Sequence, residues 1–85
     1  MRIERIVNVV GIKYRRIVSR GLRPSVVIVG SSAYDELRAY LRIGRNGYVQ
    51  CDSTGHRLYV MGVRVLLAHD VDNSYVEVFS DATEF

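Results

Sequence analysis

The sequence predicts a single α+β domain in which two helices pack on a mixed, mainly antiparallel sheet of about four or five strands. Three observations predict this class: a basic, apolar-striped segment over residues 1–20, a β-branched run at 26–29 followed by a helical pattern, and several short strand patterns separated by turn residues. A chain of 85 residues is enough for one domain with a modest core. We therefore expect one domain over 1–85, with its core in 25–80 and a loose tail over 81–85.

The first segment predicts a basic amphipathic helix. Its apolar residues recur at intervals of three and four positions, which places them on one stripe of a helix. They are Ile3, Ile6, Val7, Val10, Tyr14, Ile17 and Val18. Many of them are β-branched and Gly11 interrupts them, which lowers helix propensity and leaves two strands, over 7–10 and 12–18, as the alternative. Gly21 suits a helix C-cap and Pro24 stops any continuation, so the helix is favoured.

The middle of the chain predicts a strand followed by a second helix. The run 26–29 is β-branched throughout and bounded by a proline and a glycine, as is typical of a strand at the centre of a sheet, covered on both faces. Ser32 predicts the N-cap of a helix with Asp35 and Glu36 in its first turn. An apolar stripe continues this helix to residue 41.

The second half of the chain predicts short strands separated by turns. Strand patterns occupy 48–50, 57–61, 63–68 and 75–79, and turn-forming residues occupy 52–55 and 72–74. Alternation of apolar and polar residues in the last pattern indicates a strand with one face exposed to solvent.

No arrangement of side chains predicts catalysis. Cys51 and His56 flank a predicted hairpin tip and lack a third partner. The acidic stretch 69–73 lacks the glycine and distal glutamate of a calcium loop, and the glycine after the β-branched run lacks the rest of a dinucleotide or P-loop pattern. We expect a protein that is not an enzyme, with no catalytic residue, metal or cofactor.

The sequence also predicts a compartment. One cysteine cannot form an intrachain disulfide, and the charged residues of 1–5 interrupt the apolar core that a signal peptide needs. No stretch approaches the roughly 18 apolar residues of a membrane span. We expect a cytoplasmic or virion protein that is not secreted by a signal peptide and has no membrane partner.

Charge is divided unevenly along the chain. Residues 1–23 hold seven basic side chains against one acid, whereas 65–85 hold five acids and no lysine or arginine, within a net charge of +3. Such asymmetry is typical of interaction surfaces, although the two ends would neutralise each other if they lay side by side. The predicted interaction residues are a basic face of Arg2, Arg5, Arg15, Arg16 and Arg20 and an acidic end of Asp70, Asp72 and Glu77.

These two surfaces favour self-association or binding to another protein. Arginine pairs well with carboxylates, and a basic face that meets the acidic end of the next copy makes a heterologous contact, which generates rings or open arrays. The alternative is a small nucleic-acid-binding protein that uses the same arginines with Tyr14 and Tyr48, as a pI of about 9.4 would suit. The acidic end would repel phosphate, so protein contacts are favoured.

A series of short motifs resembles the axial domain of tailed-phage and encapsulin-type major capsid proteins. The matching residues are Gly21 to Pro24, the strand 26–29, Tyr34 to Leu37, the Gly-Tyr pair 47–48, Gly62-Val63-Arg64-Val65, and Phe79-Ser80-Asp81 in place of a Phe-Gly-Asp-like strand end. The resemblance implies a non-enzymatic assembly module, a viral structural or accessory protein, with contacts like those around capsomer axes. The N-terminal arm, extended loop and peripheral domain of a capsid subunit have no room in these 85 residues.

Overall fold

The computed structural model describes residues 3–41 and 49–80. Its elements are α1 (Ile3–Ser19), β1 (Pro24–Val29), α2 (Ser31–Leu41), β2 (Val49–Cys51), β3 (Leu58–Val60), β4 (Val63–Leu67) and β5 (Val76–Ser80). The strands form one sheet in the order β2-β3-β4-β1-β5, in which β1 and β4 are parallel and every other pair is antiparallel. The predicted α+β class is confirmed. The predicted tail 81–85 and the Gly-Tyr pair 47–48 lie outside the described residues.

A single core lies between the two helices and one face of the sheet. From α1 it takes Ile6 and Val10, and from α2 it takes Ala33 and Leu37, all fully buried. The sheet contributes alternate residues of its strands, because successive side chains of a strand point to opposite faces. These are Val27, Val29, Val49, Leu58, Val60, Val63, Val65 and Val78.

The first segment is a helix, as the stripe predicted, and not two strands. Burial of the apolar stripe against the sheet stabilises the helix and offsets the low helix propensity of its β-branched residues and Gly11. The helix ends in a Schellman motif, in which Gly21 has a φ of 75°. The N–H of Gly21 donates to the carbonyl of Val18 at 2.9 Å, and the N–H of Leu22 donates to that of Ile17 at 3.2 Å.

The prediction that β1 is covered on both faces is wrong. The strand is internal, since it pairs with β4 and β5, but the middle strand of the sheet is β4. Val27 and Val29 are fully buried, whereas Val26 and Ile28 on the opposite face are half-buried. The physical reason is that both helices pack on the same side of the sheet, which leaves a two-layer structure.

The cap predicted for the second helix is also wrong. Helix α2 begins at Ser31, and Asp35 and Glu36 lie beyond its first turn. The N–H of Ser32 donates to the carbonyl of Asn73 at 3.0 Å, and the Ser31 hydroxyl donates to the Asn73 side chain at 2.8 Å. The free amides at this helix end are therefore satisfied by a distant turn, which no local pattern could indicate.

This turn packs directly over Gly30, and replacing Gly30 by alanine should destabilise the fold. A Cβ atom at Gly30 would collide with the carbonyl oxygen of Asp72 and lie 2.7 Å from the carbonyl carbon of Asn73, so backbone would have to move. We expect Gly30→Ala to lower the free energy of unfolding by about 1–3 kcal/mol, the usual cost of overpacking. Urea denaturation of the variant and the parent protein measures this difference in the free energy of unfolding.

The matched control is Gly11→Ala in α1. A Cβ at Gly11 would approach only the Nη2 atom of Arg15, at 3.3 Å, and that flexible group can move. Alanine is the better helix former, so this variant should match the parent protein or exceed its stability by up to about 1 kcal/mol. Equal stability of Gly30→Ala and the parent protein would contradict the described packing of the turn.

Candidate interaction surfaces

The sheet separates two groups of opposite charge. Strand β5 runs antiparallel to β1, with Pro24 opposite Ser80 at one end and Val29 opposite Val76 at the other. The connection 20–23 brings the C-terminal end of α1 to the first of these ends, and the turn 69–75 lies at the second. A six-residue strand spans roughly 17–20 Å. We call Arg16, Arg20 and Arg23 the basic pole, and Asp70 and Asp72 the acidic pole.

A groove of about 200 Å³ runs between α1 and the edge strand β5 near the basic pole. In it the Nζ atom of Lys13 lies 3.0 Å from both carboxylate oxygens of Glu77. Oε1 of Glu77 also accepts the backbone N–H of Val78 at 3.2 Å, so the carboxylate covers a polar group of the edge strand. Arg16 and Arg20 line the same groove and are exposed. Neither has an ion-pair partner within 3–41 and 49–80, so the groove remains positively charged.

The described arginines of the predicted basic face are spread along the length of α1. Arg2 lies outside the described residues. Arg5 is near the start of α1, and the fifteen residues that separate it from Arg20 correspond to about 22 Å along a helix. Arg15 folds back along its own helix, where its Nε donates to the carbonyl of Gly11 at 3.1 Å. The structure brings together Arg16 and Arg20.

The three acids of the predicted acidic end have different surroundings. Glu77 is held by Lys13 within the chain, so the two ends of the sequence do neutralise each other at this one pair. The carboxylate of Asp72 accepts from the hydroxyl of Ser74 at 2.6 Å and from its N–H at 2.8 Å, and these bonds lower the pKa of Asp72. Asp70 is exposed and has no hydrogen-bond partner among the described residues. It is the acid best placed to meet another molecule.

The face of the sheet opposite the helices carries another surface that the sequence analysis did not identify. Alternation along the strands places it opposite the buried residues, and we call it the open face. Leu66 on this face is 41% exposed. The strand positions on the open face are Val26, Ile28, Gln50, Tyr59, Arg64, Leu66, Glu77 and Phe79. The signal that could have indicated it is the alternation of buried Val63 and Val65 with Arg64 and Leu66 in β4.

The residues considered for chemistry occupy turns and surfaces. Cys51 and His56 are both exposed. Between them, Oδ1 of Asp52 accepts from the Thr54 hydroxyl at 2.8 Å and from the N–H of His56 at 3.0 Å, so this carboxylate organises the predicted turn. Within the described ranges, no group of histidine, cysteine, aspartate or glutamate side chains could hold a metal ion.

Two further findings concern the predicted nucleic-acid contacts and the membrane. Tyr14, expected at a nucleic-acid surface, packs partly buried against the core, and Tyr48 lies outside the described residues. Neither α1 nor α2 is long and apolar enough to cross a membrane.

In comparisons with protein-family models, curated proteins and solved structures, nothing matches the chain.

The turn bonds of Asp72 predict a pH-dependent contribution to stability. Because the pKa of Asp72 is lower in the folded state than the ordinary value of 3.8, its carboxylate stabilises the fold above that pH. The contribution is lost as the pH falls through the folded-state pKa. We expect Asp72→Ala to be less stable than the parent protein at neutral pH, with a difference that shrinks as the pH falls below 3.8.

Thermal unfolding at several pH values measures this difference. Asp70→Ala is the matched control, since Asp70 makes no such bonds within the described part of the chain, and it should differ little from the parent protein. A stability difference for Asp72→Ala that stays constant as the pH falls below 3.8 would contradict the role of the ionised carboxylate.

Proposed function

We propose that this protein is a non-enzymatic assembly module whose copies meet head to tail, the basic pole of one against the acidic pole of the next. The observation that carries the proposal is the placement of exposed Arg16 and Arg20 at one end of the sheet and exposed Asp70 at the other. A contact between two different surfaces repeats from copy to copy. It closes into a ring or continues as an open array, according to its rotation.

The charges at the poles set the character of this contact. Arginine binds carboxylates in a bidentate geometry, which fixes orientation as well as sign. Exposed ion pairs contribute only about 0–1 kcal/mol each and are screened by salt. Assembly should therefore need several such pairs, form at low ionic strength and loosen as salt is added.

The resemblance to capsid axial domains supports the same proposal. In those proteins axial domains meet around capsomer symmetry axes, which requires heterologous contacts of the kind that the two poles allow. We extend the proposal to a viral structural or accessory protein, or a small protein that reuses this fold. The position of Tyr14 also supports protein binding over nucleic-acid binding. Its side chain is partly buried against the core, which leaves less of the ring to contact a base.

Charge-reversal variants should test the head-to-tail contact by complementation. Arg16→Glu reduces the charge of the basic pole from +3 to +1, and Asp70→Lys reduces the charge of the acidic pole from −2 to 0. Each variant alone should therefore associate more weakly than the parent protein at about 50 mM salt. An equimolar mixture should regain association, because the unaltered acidic pole of the Arg16→Glu protein can then meet the unaltered basic pole of the Asp70→Lys protein. Sedimentation velocity over a range of concentrations measures the assembly.

Arg57→Glu is the matched control, since Arg57 is an exposed arginine on the β2–β3 turn, at the opposite edge of the sheet from β5. It changes the net charge as Arg16→Glu does and should leave association unchanged. A parent protein that is monomeric at every concentration and salt would refute the head-to-tail contact. Retardation of generic DNA or RNA in a gel, abolished by Arg16→Glu, would favour the nucleic-acid alternative instead.

A further inference from the structure

Strand β5 is an edge of the sheet, and its outer side adjoins the groove beside α1. Among the described strands it pairs with β1 alone, and the carbonyl of Tyr75 accepts the N–H of Gly30 at 2.9 Å. Backbone groups of successive residues in an antiparallel strand point to opposite sides. The N–H and C=O groups of Val76 and Val78 therefore point away from β1, and Val78 lines the groove. Such groups are a template for an added strand.

The groove already holds a carboxylate from the chain itself. Glu77 turns around the edge of β5 into the groove, where the Nζ atom of Lys13 lies 3.0 Å from both of its oxygens. Its Oε1 also accepts the N–H of Val78 at 3.2 Å. Val78 is 6% exposed, so an added strand must displace this contact. Glu77 thus supplies, from within the chain, the acceptor and the anion that an acidic strand would bring.

We propose that this groove binds an extended acidic segment of a partner protein, which displaces Glu77 and pairs with β5 as an antiparallel strand. Charge complementarity identifies the partner. The groove is lined by the three cations Lys13, Arg16 and Arg20 against the one carboxylate of Glu77. Arg16 and Arg20 are exposed, and neither has an ion-pair partner within the described part of the chain. Carboxylates of the segment would pair with them while its backbone bonds to Val78.

The spacings of helix and strand specify where the acids of the segment lie. Residues four apart on a helix, such as Arg16 and Arg20, have Cβ atoms about 5–6 Å apart. Alternate residues of a strand lie about 7 Å apart on one face. The residue opposite Val78 shares its face, which is the face that α1 covers. Acids at that position and two residues further along can therefore reach both arginines, whereas adjacent acids would point to opposite faces.

An acidic peptide fits the groove better than nucleic acid or a second copy does. The carbonyl of Val78 needs an N–H donor, which a phosphodiester backbone lacks. Pairing of β5 with β5 of a second copy would bring two sets of Lys13, Arg16 and Arg20 together, and like charges repel. Binding of the segment does not depend on the head-to-tail contact. Both use Arg16 and Arg20, so the two contacts would compete.

Fluorescence anisotropy of a labelled peptide at about 50 mM salt tests this binding. The probe is the hexapeptide Thr-Glu-Val-Glu-Val-Thr with blocked ends, and the protein is the Asp70→Lys variant, whose head-to-tail contact is weakened. We expect saturable binding, which Arg20→Glu weakens about tenfold because an attraction becomes a repulsion. Glu77→Gln should tighten binding about threefold, because a neutral side chain no longer competes for Lys13. Arg57→Glu, at the opposite edge of the sheet, is the matched control and should leave binding unchanged.

Three altered peptides test the strand pairing and the spacing of the acids. In an antiparallel strand with a glutamate opposite Val78, the N–H groups of both glutamates face β5 and those of both valines face away. Methylation of both glutamate nitrogens should therefore weaken binding about tenfold, and methylation of both valine nitrogens should not. The isomer Thr-Glu-Glu-Val-Val-Thr should bind less tightly than the probe, because its acids point to opposite faces. Equal losses with the two methylated peptides would refute strand addition.

Further outcomes distinguish the occupants of the groove. A probe that binds neither the parent protein nor Asp70→Lys, or that binds Glu77→Gln less tightly, would refute the proposal, with circular dichroism confirming that each variant is folded. Displacement of the probe by an oligonucleotide would assign the groove to nucleic acid and also refute it. Binding only by a chain that ends at Ser80 would assign the groove to residues 81–85 instead of a partner. Loss of head-to-tail association with the probe still bound would refute the pole contact alone.

Discussion

The packing of both helices on one face of the sheet is the constraint on which the other features depend. Ile6 and Val10 of α1 and Leu37 of α2 are fully buried against the strands, which fixes α1 along the edge strand β5. That position places the last turn of α1 at one end of the sheet and brings Lys13 to Glu77. It also leaves the opposite face of the sheet without a cover from the described chain.

The turn that precedes β5 holds the other end of the molecule together. Its Asn73 carbonyl accepts the N–H groups of Ser32 and Ala33 at the start of α2, and its backbone packs on Gly30, which has no Cβ atom. The same turn carries Asp70 and Asp72. The acidic pole is therefore built on a segment fixed by long-range backbone contacts, which suits the head-to-tail contact that we propose.

The poles and the open face differ in physical character as well as in place. The head-to-tail contact that we propose between the poles depends on exposed charges and would weaken with salt, whereas the open face is largely apolar. Glu77 lies at the boundary between them, since its position on β5 is on the open side and its carboxylate turns to Lys13 in the groove beside α1.

The sequence by itself determined the α+β class, the position of both helices and the asymmetry of charge, because periodicity, turn residues and composition are local properties. Gly21 marked the end of α1, for example, through a backbone conformation that glycine adopts readily. Only the tertiary structure decided that Asn73 caps α2, that Val26 and Ile28 face away from the helices, and that Arg16 and Arg20 line one groove with Glu77 of β5. These features depend on strand order and helix packing between distant residues, which no local pattern records.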